Sequence, residues 1–117
     1  MTKEMQDFSI FGGESKYIRF ITTGIEDIEN ITECKWEATY MGDREVNEIE
    51  KDISSMEISD AGNDTTYIDV KVDSVDTIDL DKRELLHELT VYEDDGDGEY
   101  AVVTARGTMR VKESIIL

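Results

Sequence analysis

Apolar and polar residues alternate along most of this chain, and short segments rich in Gly, Asn and Asp separate the alternating stretches. The first regular stretch is KYIRFITTG. Ile18 and Phe20 fall on one of its faces, whereas Tyr17, Arg19 and Ile21 fall on the other. A period of two is typical of a β-strand with one buried face, so the pattern predicts a strand that ends at the glycine.

Three further stretches alternate as clearly: ECKWEATY, TTYIDVKVD and LLHELTVYE. Each is predicted to be a strand, as are the shorter SMEIS, EYAVVTARG and TMRVKES, with Gly107 marking a bend or bulge between the last two. Trp36 is the expected core anchor, because a buried Trp fills a large volume between two sheets. The residues predicted to face the core in the three clear strands are Cys34, Trp36, Ala38, Thr66, Ile68, Val70, Val72, Leu85, His87, Leu89 and Val91.

Two segments have a less regular pattern. GIEDIENIT carries Ile25, Ile28 and Ile31 three residues apart, which fits either a short helical turn or a loop that inserts isoleucines at the edge of the core. VNEIEKDIS also has apolar residues at helical spacing, but its charges are equally typical of a polar edge strand. We predict a strand there.

About seven short strands, roughly ten residues apart with turn residues between them, are typical of an all-β sandwich or small barrel. The predicted organisation is an N-terminal arm over residues 1–15 and a β-sandwich domain over residues 16–117. In the arm, Phe8, Ile10 and Phe11 need cover from water, which either their own sandwich or a neighbouring subunit provides. We favour docking onto a neighbour, and the terminal SIIL segment raises the same alternatives.

Composition agrees with a β-protein. Thirteen isoleucines and eleven threonines favour strands, and the absence of proline leaves the turns to Gly, Asn and Asp. No apolar stretch is long enough to predict a transmembrane helix, and MTKEMQDFSIFGG lacks the continuous apolar segment of a secretory signal. Cys34 is the only cysteine, so we expect a small buried thiol and no internal disulfide.

The formal net charge of −17 argues against binding to nucleic acid or anionic lipid, because neutralising phosphates requires Lys and Arg. The regular apolar pattern excludes an acidic disordered segment. Two interpretations stay open: the carboxylates solvate the surface at very high salt, where their repulsion is screened, or they imitate a phosphate backbone and bind a basic protein. The acids are spread between apolar residues along the whole chain, which favours the saline interpretation.

The acidic segment DDGDGE is a candidate metal loop. A helix-loop-helix calcium loop counted from Asp94 needs glycine at the sixth position and Glu at the twelfth, where Glu99 and Ala105 stand instead. The flanks also alternate as strands. We therefore predict a hairpin tip, with adventitious binding of calcium or magnesium by Asp94, Asp95 and Asp97 as the alternative.

Two other groups of residues are candidates for a site. Cys34 and His87 both fall on predicted inward faces, but no oxyanion turn accompanies them, so we expect two core residues and no catalytic, cofactor-binding or metal site. A row of aspartates could mimic phosphates along a duplex. We favour an outward face and loop at a sheet edge, where charge discourages aggregation. The row comprises Asp69, Asp73, Asp76, Asp79 and Asp81.

The order of these segments resembles that of small immunoglobulin-like β-sandwich proteins found in the particles of tailed viruses. The matching segments are GIEDIENIT, CKWEATY, TYIDVKVD, VDTIDLD, LLHELTVYEDDGDG and ARGTMRVKES, so the resemblance covers residues 16–114. The chain departs from that pattern in lacking proline and in the high charge of segment 42–54. The resemblance implies an immunoglobulin-like antiparallel β-sandwich without catalytic residues that decorates, cements or builds part of a viral head or tail.

The expected function is therefore that of a structural component of a tailed virus particle, as a head decoration, turret or tail-baseplate protein. We expect it in the virion, after synthesis in the cytoplasm of a halophilic host. No enzyme activity, cofactor, nucleic acid or membrane is expected. The expected partners are further copies of the chain, in a homo-oligomer of threefold or fivefold symmetry, and other virion proteins such as the major capsid protein. The alternative is an acidic nucleic-acid mimic that inhibits a basic protein.

Overall fold

A computed structural model describes residues 2–78, 80, 84–94, 96 and 98–112, and for residues 2–5 and 43–45 it describes the backbone alone. Within the described residues no helix is long and apolar enough to cross a membrane. A short helix, α1 (Ser74–Thr77), and two 3₁₀ turns (Ile28–Asn30 and Ile53–Ser55) accompany the strands. The strands are β1 (Thr2–Met5), β2 (Phe8–Phe11), β3 (Lys16–Thr23), β4 (Ile31–Tyr40), β5 (Asp43–Asp52), β6 (Met56–Gly62), β7 (Thr65–Val72), β8 (Glu84–Asp94) and β9 (Glu99–Lys112).

The strands form two sheets. Sheet A has the order β1-β9-β8-β4-β5, and β2 follows β1 along the same edge of β9. Sheet B has the order β3-β7-β6. The pairings are antiparallel except those of β1 and β2 with β9, which are parallel. In immunoglobulin lettering, β9, β8, β4 and β5 correspond to strands G, F, C and C′ of one sheet, and β3, β7 and β6 correspond to strands B, E and D of the other. This arrangement is that of an immunoglobulin-like sandwich, so the predicted fold class is confirmed.

The core lies between the two sheets and centres on Trp36 of β4. Its indole is fully buried, and the centre of the indole lies 6.4 Å from the centre of the Phe8 ring and 6.0 Å from that of the His87 ring. In antibody domains the corresponding Trp packs against a disulfide that joins strands B and F. Here the matching strands, β3 and β8, contribute Phe20 and His87, whose rings lie 5.8 Å apart. All the residues that the alternation predicts to face the core are buried.

The two irregular segments each adopt one of the expected forms. Ile28–Asn30 is a 3₁₀ turn, started by the Asp27 carboxylate, which accepts a hydrogen bond of 2.9 Å from the backbone nitrogen of Glu29. Ile25 is buried just before this turn. VNEIEKDIS lies mostly in β5, which forms the outer edge of sheet A, so the prediction of a polar edge strand is confirmed.

The prediction of two strands separated at Gly107 is wrong. β9 runs from Glu99 to Lys112 without a break, and the irregularity lies in the facing segment, where Gln6 and Asp7 separate β1 from β2. A Cβ atom on Gly107 would lie 2.5 Å from the carbonyl carbon of Gln6 and 2.8 Å from Asp7 Oδ1. The glycine is needed for the close approach of two backbones, and not for a bend.

Residues 2–11 of the predicted arm form part of sheet A. Ile10 is buried, and Phe8 packs against Trp36, so the sandwich itself covers these two side chains. Phe11 is 40% exposed, and docking of this residue onto a neighbouring subunit stays a prediction. The SIIL segment lies outside the described residues.

Candidate functional site

His87 is the centre of a buried chain of hydrogen bonds. Trp36 Nε1 donates to His87 Nδ1 over 3.2 Å, and His87 Nε2 lies 2.6 Å from the backbone oxygen of Gln6. Because an indole N–H can only donate, Nδ1 is the acceptor, and Nε2 carries the proton that is donated to Gln6. The ring is therefore neutral. Burial lowers the pKa of His87, although the Gln6 hydrogen bond and the charge of Asp7 act in the opposite direction.

Cys34 and His87 do not form a nucleophile and base. Both ring nitrogens of His87 already have partners, so neither is free to accept the thiol proton. Burial, with a smaller contribution from the charge of Glu33, raises the pKa of the Cys34 thiol to about 12. The thiolate, which is the reactive form, is therefore scarce at neutral pH. Both residues are buried in the core, as their alternation predicts.

The acidic segment at residues 94–98 connects β8 to β9 as a hairpin tip. Asp94 Oδ1 accepts a hydrogen bond of 2.8 Å from the backbone nitrogen of Gly96. The φ angles of Gly96 and Gly98 are 98° and 137°, which favour glycine, so both glycines serve the turn. Asp95 and Asp97 lie outside the described residues. In the part of the chain that is described, no group of three His, Cys, Asp or Glu side chains could hold a metal ion.

The aspartate row is partly neutralised by the protein's own cations. Arg19 Nε lies 2.9 Å from Asp69 Oδ1. Lys51 Nζ lies 3.3 Å from Asp73 Oδ2 and 2.8 Å from Asp76 Oδ2. Asp76 also accepts a hydrogen bond of 2.7 Å from the backbone nitrogen of Asp73 at the start of α1. These three acids support the fold, and the remaining two lie outside the described residues.

The outer face of sheet A carries a row of carboxylates that the sequence analysis missed. Glu50 of β5, Glu37 of β4 and Glu88 of β8 lie directly opposite one another across the strands. The row ends at Arg106 of β9, whose Nη2 lies 3.1 Å from Glu88 Oε2. Like charges at directly opposite positions destabilise a sheet, so this row lowers the stability of the fold. Alternation shows that Glu37 faces outward, but only the strand register brings the three acids together.

A concavity of about 270 Å³ lies beside this row. Glu37, Glu88 and Arg106 contribute charged groups to its lining, and Leu86 contributes an apolar surface. Pockets for small-molecule ligands usually measure about 300–1,000 Å³. The concavity lies at the lower limit of this range, and its lining offers both charged groups and an apolar surface.

The outer face of sheet B differs in character from that of sheet A. Tyr17 and Ile21 of β3 are 48% and 54% exposed, and Tyr67 of β7 lies opposite Ile21. The guanidinium of Arg19 lies 4.3 Å from the centre of the Tyr67 ring, and the ammonium of Lys71 lies 4.9 Å from that of Tyr17. Exposed aromatic residues together with Arg are typical of protein–protein interfaces. Alternation already places these residues on one outward face.

Glu93 of β8 is a buried acid. Glu93 is 8% exposed, and its Oε1 has no hydrogen-bond partner among the described residues. Burial raises the pKa of Glu93, and the nearby charges of Glu26 and Asp27 raise it further. Because an unpaired buried carboxylate is costly, the folded state holds this proton more tightly than the unfolded chain does.

Comparisons with known proteins do not assign the chain to a family. No family model and no curated protein matches it. Among solved structures, a sialyltransferase from Photobacterium damsela is similar at 15% identity and a TM-score of 0.36. The match covers 95% of this chain and 18% of the sialyltransferase, so the chain spans less than a fifth of that protein. A similarity of this size carries no functional implication.

Proposed function

We propose that the protein is a structural component of a tailed virus particle and acts by assembling with copies of itself and with other virion proteins. The observation that carries this proposal is the outer face of sheet B, where exposed Tyr17 and Ile21 lie beside Arg19 and Lys71. Tyr and Arg side chains are enriched in protein–protein interfaces. The tailed-virus setting rests on the order of the sequence segments, with which the immunoglobulin-like fold is compatible.

The polar groups of the core support a role without catalysis. His87 holds Trp36 and the backbone of Gln6 through both ring nitrogens, and the thiol of Cys34 is protonated at neutral pH. An enzyme would need such groups free and directed into a pocket. Here they stabilise the sandwich, which leaves the outer faces of the sheets as the functional surfaces.

Mass spectrometry of purified particles, with heads separated from tails, tests the proposal. We expect the protein to remain with one of the two fractions through repeated density gradients, at a constant ratio to the major capsid protein. A viral protein that is not part of the particle serves as the control for contamination. Loss of the protein at the same rate as this control would contradict the proposal.

The row of Glu50, Glu37 and Glu88 favours a second candidate, an acidic mimic of nucleic acid that binds a basic protein. A mimic would be missing from particles and would bind its partner with an affinity that falls steeply as salt is added. Glu37→Gln and Glu88→Gln should each weaken such binding. Glu29→Gln, in an exposed 3₁₀ turn, is the matched control and should leave the affinity unchanged.

A further inference from the structure

One end of the sandwich, which we call the acidic end, concentrates the negative charge of the chain. It comprises the β3–β4 connection (residues 24–30), the β6–β7 turn (residues 60–65) and the β8–β9 hairpin (residues 93–99). Thr23 lies opposite Thr65 in sheet B. Residues 24–30 join Thr23 to Ile31, which lies opposite Glu93 in sheet A, so the three segments share one end. Together they contain ten Asp and Glu residues and no Lys, Arg or His.

Glu93 is the buried carboxylate of the acidic end. It continues the inward face of β8 beyond Leu89 and Val91, at a position where alternation places a core residue. Its Oε1 is buried and has no hydrogen-bond partner among the described residues. The charges of Glu26 and Asp27, in the β3–β4 connection, act on this carboxylate and contribute to its raised pKa. Buried charges in proteins are paired or bind metal ions, and here the neighbouring charges are of the same sign.

We infer that the acidic end binds a partly hydrated divalent cation such as Mg²⁺, held directly by Glu93 and through water by Glu26 and Asp27. The donor atoms are carboxylate oxygens, which suit hard cations. Among the described residues no three acids could hold an ion by themselves, so water supplies the remaining ligands. Mg²⁺ characteristically keeps several waters and uses one or two carboxylates. The inference goes beyond the proposed function and does not depend on where the protein acts.

The burial of Glu93 favours a small ion over a basic side chain of a protein partner. Because Glu93 is only 8% exposed, an ammonium or guanidinium group could reach its carboxylate only if the end of the sandwich opened. A metal ion is smaller, and its waters can face Glu26 and Asp27, which are exposed. The surrounding acids raise the local concentration of cations at this end. Binding then links the β3–β4 connection to the end of β8.

Binding of Mn²⁺ to the full chain tests the inference, since Mn²⁺ takes the same oxygen ligands as Mg²⁺ and is paramagnetic. At about 0.15 M KCl, substoichiometric Mn²⁺ should broaden the amide signals of Glu26, Asp27 and Glu93 before those of other acids in an NMR spectrum. Glu93→Gln keeps the size of the side chain and removes its charge, so it should weaken Mn²⁺ binding at least tenfold. Glu26→Gln, at an exposed position, should weaken binding by a smaller factor.

Matched controls separate the site from net charge and from ionic strength. Glu29→Gln removes the same charge from an exposed position of the same connection and should leave the affinity unchanged. About 10 mM MgCl₂ should raise the unfolding temperature of the wild type more than about 30 mM KCl, which has the same ionic strength. Glu93→Gln should respond equally to the two salts. An unchanged Trp36 fluorescence spectrum in each variant shows that the core is intact.

Several outcomes contradict the inference. A wild type that binds no Mn²⁺ at millimolar concentrations has no site, and equal weakening by Glu93→Gln and Glu29→Gln means that ions are attracted by net charge alone. If Asp94→Asn abolishes binding and Glu93→Gln does not, the ion lies at the hairpin tip. If a lysine-rich peptide binds in a manner that requires Glu93 and Mn²⁺ does not bind, the ligand is a basic protein.

Discussion

Replacing Gly107 by Ala should detach the N-terminal edge of sheet A. Gly107 does not have a positive φ, so its backbone conformation does not require glycine. The neighbouring backbone does, because a Cβ atom at this position would lie 2.5 Å from the Gln6 carbonyl carbon. Ordinary contacts of a Cβ atom begin at 3.4 Å, and the Gln6 carbonyl oxygen lies closer still than its carbon, so Gln6 must move by at least about 1 Å or β9 must bend. Movement of this size exceeds what the hydrogen bonds at this point tolerate.

Three hydrogen bonds set the size of the effect. Gln6 N donates to Arg106 O over 2.8 Å, His87 Nε2 donates to Gln6 O over 2.6 Å, and Thr108 N donates to Asp7 Oδ1 over 2.8 Å. At about 1 kcal/mol each, with a further ~1 kcal/mol for the unpaired buried His87 N–H, the loss amounts to roughly 4 kcal/mol. This is a large part of the 5–15 kcal/mol that usually stabilises a domain.

Urea unfolding followed by Trp36 fluorescence measures this loss, and hydrogen exchange locates it. The amides of β9 that face β1 and β2 should exchange much faster in the Gly107→Ala variant. Gly42→Ala is the matched control, since its Cβ would meet no atom within 4 Å and its φ is also not positive. If Gly107→Ala stays within about 0.5 kcal/mol of the wild type, as surface substitutions usually do, the reasoning is refuted.

The remaining predictions concern pH, thiol chemistry and salt. Since the pKa of His87 is lowered from 6.5, its contribution to stability is complete above pH 6.5 and declines below it, so the stability advantage of the wild type over His87→Gln should shrink between pH 7 and pH 5. The raised pKa of Glu93 has the opposite sign: stability is lost as pH rises above 4.5, so Glu93→Gln should be more stable relative to the wild type at pH 8 than at pH 4, and an equal difference at the two pH values would contradict this. Cys34 should react with iodoacetamide at least tenfold more slowly in the folded protein than in urea, and equal rates would show that the thiol is accessible. The unfolding temperature should rise between about 0.1 M and 1 M KCl, where the Debye length falls from about 10 Å to 3 Å, and a constant temperature would mean that repulsion among the acids is unimportant.

Local pattern predicts the inward residues of this fold well. Alternation is a property of a single strand, so LLHELTVYE identifies Leu85, His87, Leu89 and Val91 as core residues without knowledge of their neighbours. The same pattern identifies Tyr17 and Lys71 as outward residues. The charges of VNEIEKDIS also predicted that this segment forms a polar edge strand.

Features that depend on pairing between distant strands could not be predicted. The row of Glu50, Glu37 and Glu88 exists only in the observed register of β5, β4 and β8. Gly107 illustrates the same limit: a glycine inside a strand indicates either a bulge or a close approach, and the choice depends on Gln6, which is 101 positions earlier. One sequence contains no direct signal for either pairing.

The parallel pairing of β1 and β2 with β9 has a consequence for biosynthesis. Thr2 lies opposite Val103, and Phe8 lies opposite Met109. β1 and β2 therefore leave the ribosome long before β9, the strand with which they pair. Until β9 has emerged, Phe8 and Ile10 have no strand to pair with, although sheet B is already complete. Non-local closure of this kind slows folding and leaves apolar segments open to aggregation. We therefore expect the sandwich to close only after β9 has emerged from the ribosome, and a nascent chain stalled before residue 103 to be bound by chaperones.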